Sequence, residues 1–158
     1  MSTAGGTPAT PQLLLVVDAS VVIKWHVDEN HADATRRLLG DGAPALHVPD
    51  LMFPEVGNIL WKKTRRNDLT EEEARRIAHL VAVAPLDVHP SAPLLEAALE
   101  IATRTGRTVY DSLYVAMAVR LDCRLVTADE RLYNALKDGS LGGYILWVED
   151  DLGMPVVG

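Results

Sequence analysis

Apolar residues gather in five short runs, and longer stretches with helical spacing lie between them. The runs at 13–17, 46–49, 86–89, 124–127 and 144–148 carry branched or aromatic side chains, which predicts strands. Recurrence at three and four residues predicts helices over 31–39, 51–66, 70–83, 91–105, 109–121 and 130–137. Asp50 and Thr70 read as N-caps, and Glu73, three residues after Thr70, completes a capping box. Short strands alternating with helices specify a parallel sheet covered on both faces. The run Leu13-Leu-Leu-Val-Val17 is apolar throughout, as a strand buried on both sides should be. The expected fold is a three-layer α/β/α domain.

At 158 residues the chain fits one domain, expected over 13–150. Residues 1–12 are dominated by Ser, Thr, Gly, Pro and Ala and are expected to form a flexible tail, with a second tail at 151–158. The 48% apolar and 23% charged content excludes a disordered or fibrous chain. No apolar run approaches the roughly 20 residues that cross a bilayer. Residues 1–12 hold no Lys or Arg, so they do not read as a signal peptide, and no membrane partner is expected. The single Cys123 has no internal disulfide partner, which suits a reducing cytoplasm. The five His, at 26, 31, 47, 79 and 89, show no metal-ligand spacing, and zinc is not expected.

The net charge of −7 argues against bulk electrostatic binding of nucleic acid. Its distribution leaves room for a local basic wall, because Lys62, Lys63, Arg65, Arg66, Arg75 and Arg76 lie close together along the chain. The ordinary alternative is a pair of solvated helix surfaces.

Four acids sit where a core-building sequence has no need of them. Asp18 follows the most apolar strand in Asp18-Ala-Ser20, and Asp129 holds the matching place after the strand at 124–127. In open parallel sheets, ligands bind beyond the carboxyl ends of strands where the strand order reverses. If the two strands are neighbours there, both acids overlook one crevice. Asp111 and Glu55 fall on the shoulders of two helices, beside the stripes Tyr110, Leu113, Tyr114, Met117, Leu121 and Met52, Val56, Ile59, Leu60. Each acid also has a plain structural explanation. Asp18 and Asp129 suit N-caps, Asp111 the third position after a Thr108 cap, and Glu55 the first turn of a helix. Together, clustered carboxylates repel unless a cation is present, and hard oxygen ligands favour Mg²⁺ or Mn²⁺.

Other chemistries fail on the residues. There is no G-x-S-x-G elbow, no G-x-x-x-x-G-K-[ST] loop and no G-x-G-x-x-G after a strand. A phosphoaspartyl hydrolase would want a second Asp at position 20, where Ser20 stands.

Four blocks resemble the PIN-domain family, and most closely VapC-type toxins of bacterial toxin–antitoxin pairs. They are Val16-Val-Asp-Ala-Ser20, Pro49-Asp-Leu-Met-Phe-Pro-Glu-Val56, Tyr110-Asp-Ser-Leu-Tyr-Val-Ala-Met-Ala118 and Leu125-Val-Thr-Ala-Asp-Glu-Arg-Leu132. They occur in the family's order and span 13–148; the Pro/Thr/Gly-rich front is the departure, since this family usually begins just before the first acid. The resemblance implies a five-stranded parallel sheet and a Mg²⁺- or Mn²⁺-dependent endoribonuclease. It makes Asp18 and Asp111 the principal metal ligands, with Glu55 and Asp129 completing the quartet and Ser20 and Thr127 as hydroxyl support. It further implies an RNA substrate, neutralisation by a cognate VapB-type antitoxin, a homodimer and a toxin–antitoxin hetero-oligomer. Lys24, Lys62, Arg104 and Arg107 are candidates for contacts to the RNA backbone. The alternative function is a non-catalytic PIN-like module that binds RNA or protein; a DNA-directed 5′-nuclease would need additional helices to guide a duplex.

Overall fold

The computed structural model describes residues 5–6 and 11–154, so most of the expected N-terminal tail and residues 155–158 lie outside the described residues. Five strands form the sheet: β1 (Leu14–Val17), β2 (Ala45–Pro49), β3 (Asp87–His89), β4 (Arg124–Thr127) and β5 (Ile145–Trp147). Their order is β3-β2-β1-β4-β5 and every pairing is parallel. Among the described residues, seven α-helices cover its two sides: α1 (Ala19–Lys24), α2 (Ala32–Arg36), α3 (Met52–Arg65), α4 (Glu71–Ala82), α5 (Leu95–Thr105), α6 (Val109–Arg120) and α7 (Glu130–Leu136). The three-layer α/β/α arrangement is therefore as the alternating pattern requires.

The chain leaves β1 toward β2 on one side and later lays β4 against β1's other side, so the order reverses between β1 and β4. Val17 pairs with Val126, which brings Asp18 level with Thr127 at the carboxyl edge. Val16, Val17, Val48, Leu125 and Val126 are all fully buried, the mark of strands covered on both faces. The core continues past residue 150, because Leu152 is buried within it.

Several local expectations change. Helix α1 is absent from the sequence pattern because Val21, Val22 and Ile23 are β-branched residues that favour strands. Burial of that apolar set and the Asp18 cap override propensity. Asp50 is not a cap: Leu51 holds the N-cap place of α3, while Asp50 accepts from the backbone N–H of Ser91 at 3.1 Å. The Thr70–Glu73 capping box forms as expected, with bonds of 3.1 and 2.7 Å. The helix expected over 91–105 begins with a 3-10 turn at Ala92–Leu94, where Pro93 sits, and becomes α-helical at Leu95. Helix α6 lacks the one-sided stripe. It is buried without a break from Ser112 to Ala118, pressed between α5 and the sheet, while Tyr110 is 60% exposed.

Candidate active site

Asp18 ends β1 and caps α1, and its carboxylate is the centre of a bonded cluster. Oδ1 accepts from the Val21 backbone N–H at 3.2 Å and from Ser20 Oγ at 2.5 Å, and Oδ2 accepts from the Thr127 hydroxyl. Ser20 Oγ accepts in turn from the Ala128 N–H at 3.0 Å, and Thr127 Oγ1 from the Asp129 N–H at 3.0 Å. These hydroxyls thus fasten the exit of β4 to the carboxylate at the exit of β1. Asp18 is only 5% exposed. Burial pushes its carboxyl up to about 6, against the three donors that favour the charged form, and the charge of Asp129 adds to the rise.

Asp129 caps α7, with Oδ1 accepting from the N–H groups of Arg131 at 3.0 Å and Leu132 at 3.3 Å. The capping explanation thus holds for both Asp18 and Asp129. Capping and a place at the carboxyl edge of the sheet are compatible, because strand ends followed closely by helices put such caps there.

Glu55 lies in the first turn of α3 and is partly buried. Tyr114 of α6 donates its hydroxyl to Glu55 Oε1 at 2.5 Å. Burial raises the Glu55 pKa, the Tyr114 bond lowers it, and the Asp111 charge raises it. The Tyr114 hydroxyl is itself held far above its usual range, first by burial and then by the charges of Glu55 and Asp18.

Asp111 is the third residue of α6. Its backbone N–H donates to the capping hydroxyl of Thr108 at 3.1 Å, while its carboxylate turns to Arg107, whose Nη2 donates to Oδ2 at 3.0 Å. Gly106, at φ +71° in the left-handed region, closes α5 and delivers Arg107 to this place. Arg107 Nε is buried without a hydrogen-bond partner among the described residues.

The acids are coupled in two pairs, Asp18 with Asp129 and Glu55 with Asp111. Tyr114 joins the pairs by feeling both Asp18 and Glu55. Among the described residues, no three His, Cys, Asp or Glu already stand as a set that could hold one ion. Of the four cations considered for the RNA backbone, Arg107 alone touches the quartet. Lys24 pairs with Glu29 at 3.0 Å, Arg104 pairs with Glu100 at 2.6 Å, and Lys62 is exposed on α3. A cavity of about 460 Å³ between α5, α6 and α7, which Arg104 helps to line, contains none of the acids.

Two contacts to the acids, Tyr114 on Glu55 and Arg107 on Asp111, are not read from the sequence. Tyr114 reads as core from its stripe, although a hydroxyl on an apolar stripe needs a buried partner. Arg107 stands four residues before Asp111 but ahead of the Thr108 cap, outside α6, so helical spacing gives no signal of the pair.

No helix of the described residues is long and apolar enough to cross a membrane. The PIN domain family model matches residues 15–137. Ribonuclease VapC3 of Pyrobaculum aerophilum is 38% identical over 120 residues, covering 75% of this chain and 91% of the relative. Among solved structures, PAE2754 from Pyrobaculum aerophilum superposes with a TM-score of 0.64 at 28% identity, covering 87% of this chain and 85% of that one. A toxin–antitoxin complex from Klebsiella pneumoniae shares the fold, with a TM-score of 0.59 at 10% identity over 86% of this chain and 98% of that one. With the family model spanning the whole acidic set and a VapC relative matched along nearly its full length, the chain belongs to the PIN-domain family and to its VapC members.

Proposed function

We propose that this chain is a Mg²⁺-dependent endoribonuclease, with Mn²⁺ as a substitute, acting as the toxin of a type II toxin–antitoxin pair. The observation that carries this reading is the Asp18 carboxyl: 5% exposed, held by three donors and still pushed up to about 6. A buried carboxylate with acidic neighbours and no fixed cation of its own suits a site for a divalent ion. The donor set fits the group, since all four candidate ligands are carboxylates and hard oxygen donors favour Mg²⁺ or Mn²⁺. Asp18 and Asp111 would be its principal ligands, with Glu55 and Asp129 completing the set. Bound there, the ion would supply a water of lowered pKa and neutralise charge developing at the scissile phosphorus.

The protein's own residues then divide the remaining work. Ser20 and Thr127 fix the direction of the Asp18 carboxylate, and Tyr114 does the same for Glu55. Arg107 neutralises Asp111 at rest through Nη2 and would exchange that contact for a phosphate oxygen of the RNA. The name of the Pyrobaculum relative supports RNA as substrate, and the Klebsiella complex supports a protein partner. A VapB-type antitoxin would seat a basic side chain against the acids, with the apolar stretch of α3 up to Trp61 as the neighbouring wall. A homodimer would use the α3–α4 pair, where Trp61, Leu80 and Val83 are exposed.

The test incubates purified, antitoxin-free protein with RNA and with DNA of matched sequence, in EDTA and in Mg²⁺ or Mn²⁺. RNA should be cut with either ion and spared in EDTA, and DNA should survive throughout. RNA that stays intact with both ions sinks the reading.

A further inference from the structure

Tyr110 is the most exposed aromatic residue on α6, at 60%, on a helix otherwise buried from Ser112 to Ala118. It precedes Asp111 directly and stands one turn before Tyr114. Positions four apart on a helix differ by about 40° in azimuth, so Tyr110 shares the side of α6 from which Tyr114 reaches Glu55. Helical side chains lean toward the helix N-terminus. This lean carries the exposed Tyr110 ring toward the N-terminal end of α6, next to Asp111, while Tyr114 is buried and bonded to Glu55. The ring stands in water directly beside Asp111, a candidate metal ligand, and offers a free face for stacking.

We propose that Tyr110 is the platform on which an unpaired base of the RNA, next to the scissile phosphate, stacks. This rests on the ribonuclease reading and adds a substrate class to it. Asp111 and Tyr110 are chain neighbours, with Cα atoms about 3.8 Å apart. One nucleotide is long enough to present its phosphate to the carboxylates and its base to the ring. Stacking is tolerant of sequence, because every base has a π face. It also discriminates by structure, because bases inside an A-form duplex are already stacked on one another. Tyr110 thus selects splayed, single-stranded RNA, and the nucleotide it holds sets which bond meets the acids.

The test separates binding from cutting. Anisotropy in EDTA reports binding of a fluorescein-labelled, 12-nucleotide single-stranded RNA, with a duplex of the same length as control, to the parent, Tyr110→Ala and Tyr110→Phe. Loss of one stacked base should raise Kd by about five- to hundredfold for Tyr110→Ala, leave Tyr110→Phe near the parent, and leave duplex binding unchanged. With Mg²⁺, kcat/KM on a single-stranded oligonucleotide should fall by a similar factor. An abasic site beside the cut bond should cost the parent about as much as the Tyr110→Ala substitution does, and should cost Tyr110→Ala little further. The ring is exposed, so all three proteins should melt together, which controls for folding. Parental affinity in Tyr110→Ala overturns the proposal, and so does an equal loss on single strand and duplex. A parent that binds through Tyr110 but cuts nothing sinks the nuclease reading alone. A parent that cuts and is indifferent to Tyr110→Ala sinks this inference alone.

Discussion

The Tyr114 hydroxyl donates to Glu55 Oε1 at 2.5 Å, bridging α6 and α3 at the carboxyl edge of the sheet. The bond opposes the rise that burial imposes on Glu55. Tyr114→Phe keeps the ring and removes the donor. The Glu55 pKa should then rise further, and the acid limb of the pH–rate profile should move to higher pH. The lost bond should destabilise the fold by about 1 kcal/mol, or about 2–4 °C in melting temperature. An acid limb that stays in place would show that Glu55 does not act as an ionised group in the reaction.

Asp18 makes a pH prediction whose sign follows from its raised pKa. The folded carboxyl sits at about 6 and the ordinary one at 3.8, so between those values the folded protein holds a proton that the unfolded chain has released. The rise therefore destabilises the fold at neutral pH, by about 3 kcal/mol at most, and the penalty disappears as pH falls through 6 toward 4. Asp18→Asn carries no charge at any pH. Its stability relative to the parent should be greatest at pH 7.5 and should decline toward pH 4.5, as read by urea unfolding at both values. Cleavage by the same variant should be lower by orders of magnitude at every pH. A parent-to-variant difference that does not change with pH would remove the buried-carboxylate argument.

What the sequence discloses and what it hides divide along physical lines. The sheet was legible because strands such as Leu13-Leu-Leu-Val-Val17 are apolar on both faces, a pattern that few other folds require. The acids at strand ends were legible because Asp18 directly follows β1 and Asp129 lies two residues past β4. Helix α1 was hidden: Val21, Val22 and Ile23 speak for a strand, and only tertiary burial decides otherwise. Tyr110 was misplaced for a related reason. A helix buried without a break from Ser112 to Ala118 has no one-sided stripe, so the apolar pattern could not show that Tyr110 in its first turn is exposed. Arg107 on Asp111 depends on the Gly106 turn, and a spacing of four across a helix boundary does not announce it.

Arg107 changes what neutralising Asp111 should do. Repulsion among four acids predicts that Asp111→Asn stabilises the metal-free protein, but Asp111 is already paired at 3.0 Å, with side chains 25% and 22% exposed. Such a pair contributes about 1 kcal/mol at most after screening. In EDTA, Asp111→Asn should therefore not raise the melting temperature on its own. Arg107→Gln should lower it, and adding Asp111→Asn to Arg107→Gln should recover the loss. Melts of the four proteins form a double-mutant cycle, and a coupling of zero would show the ion pair to be inert. RNA affinity should fall in both proteins that lack Arg107.

Metal binding and capping are separable at the two aspartates that do both. An ion that binds the assembled acids and not the unfolded chain stabilises by mass action, by about 2.7 kcal/mol at a hundred times its Kd. The parent should thus melt higher in millimolar Mg²⁺ than in EDTA, and Asp18→Asn should lose most of that increment. Asn caps helices about as well as Asp, so Asp129→Asn should keep the α7 cap while removing a charge. It should melt near the parent in EDTA and retain a reduced Mg²⁺ response, as befits an outer ligand. Asp129→Ala loses the cap as well, including the bonds to Arg131 and Leu132, and should melt lower in EDTA by about 1 kcal/mol of stability. If both aspartates serve only as caps, Asp18→Asn and Asp129→Asn will respond to Mg²⁺ as the parent does. That outcome would leave the hydrogen-bonded edge intact and take the ion away from it.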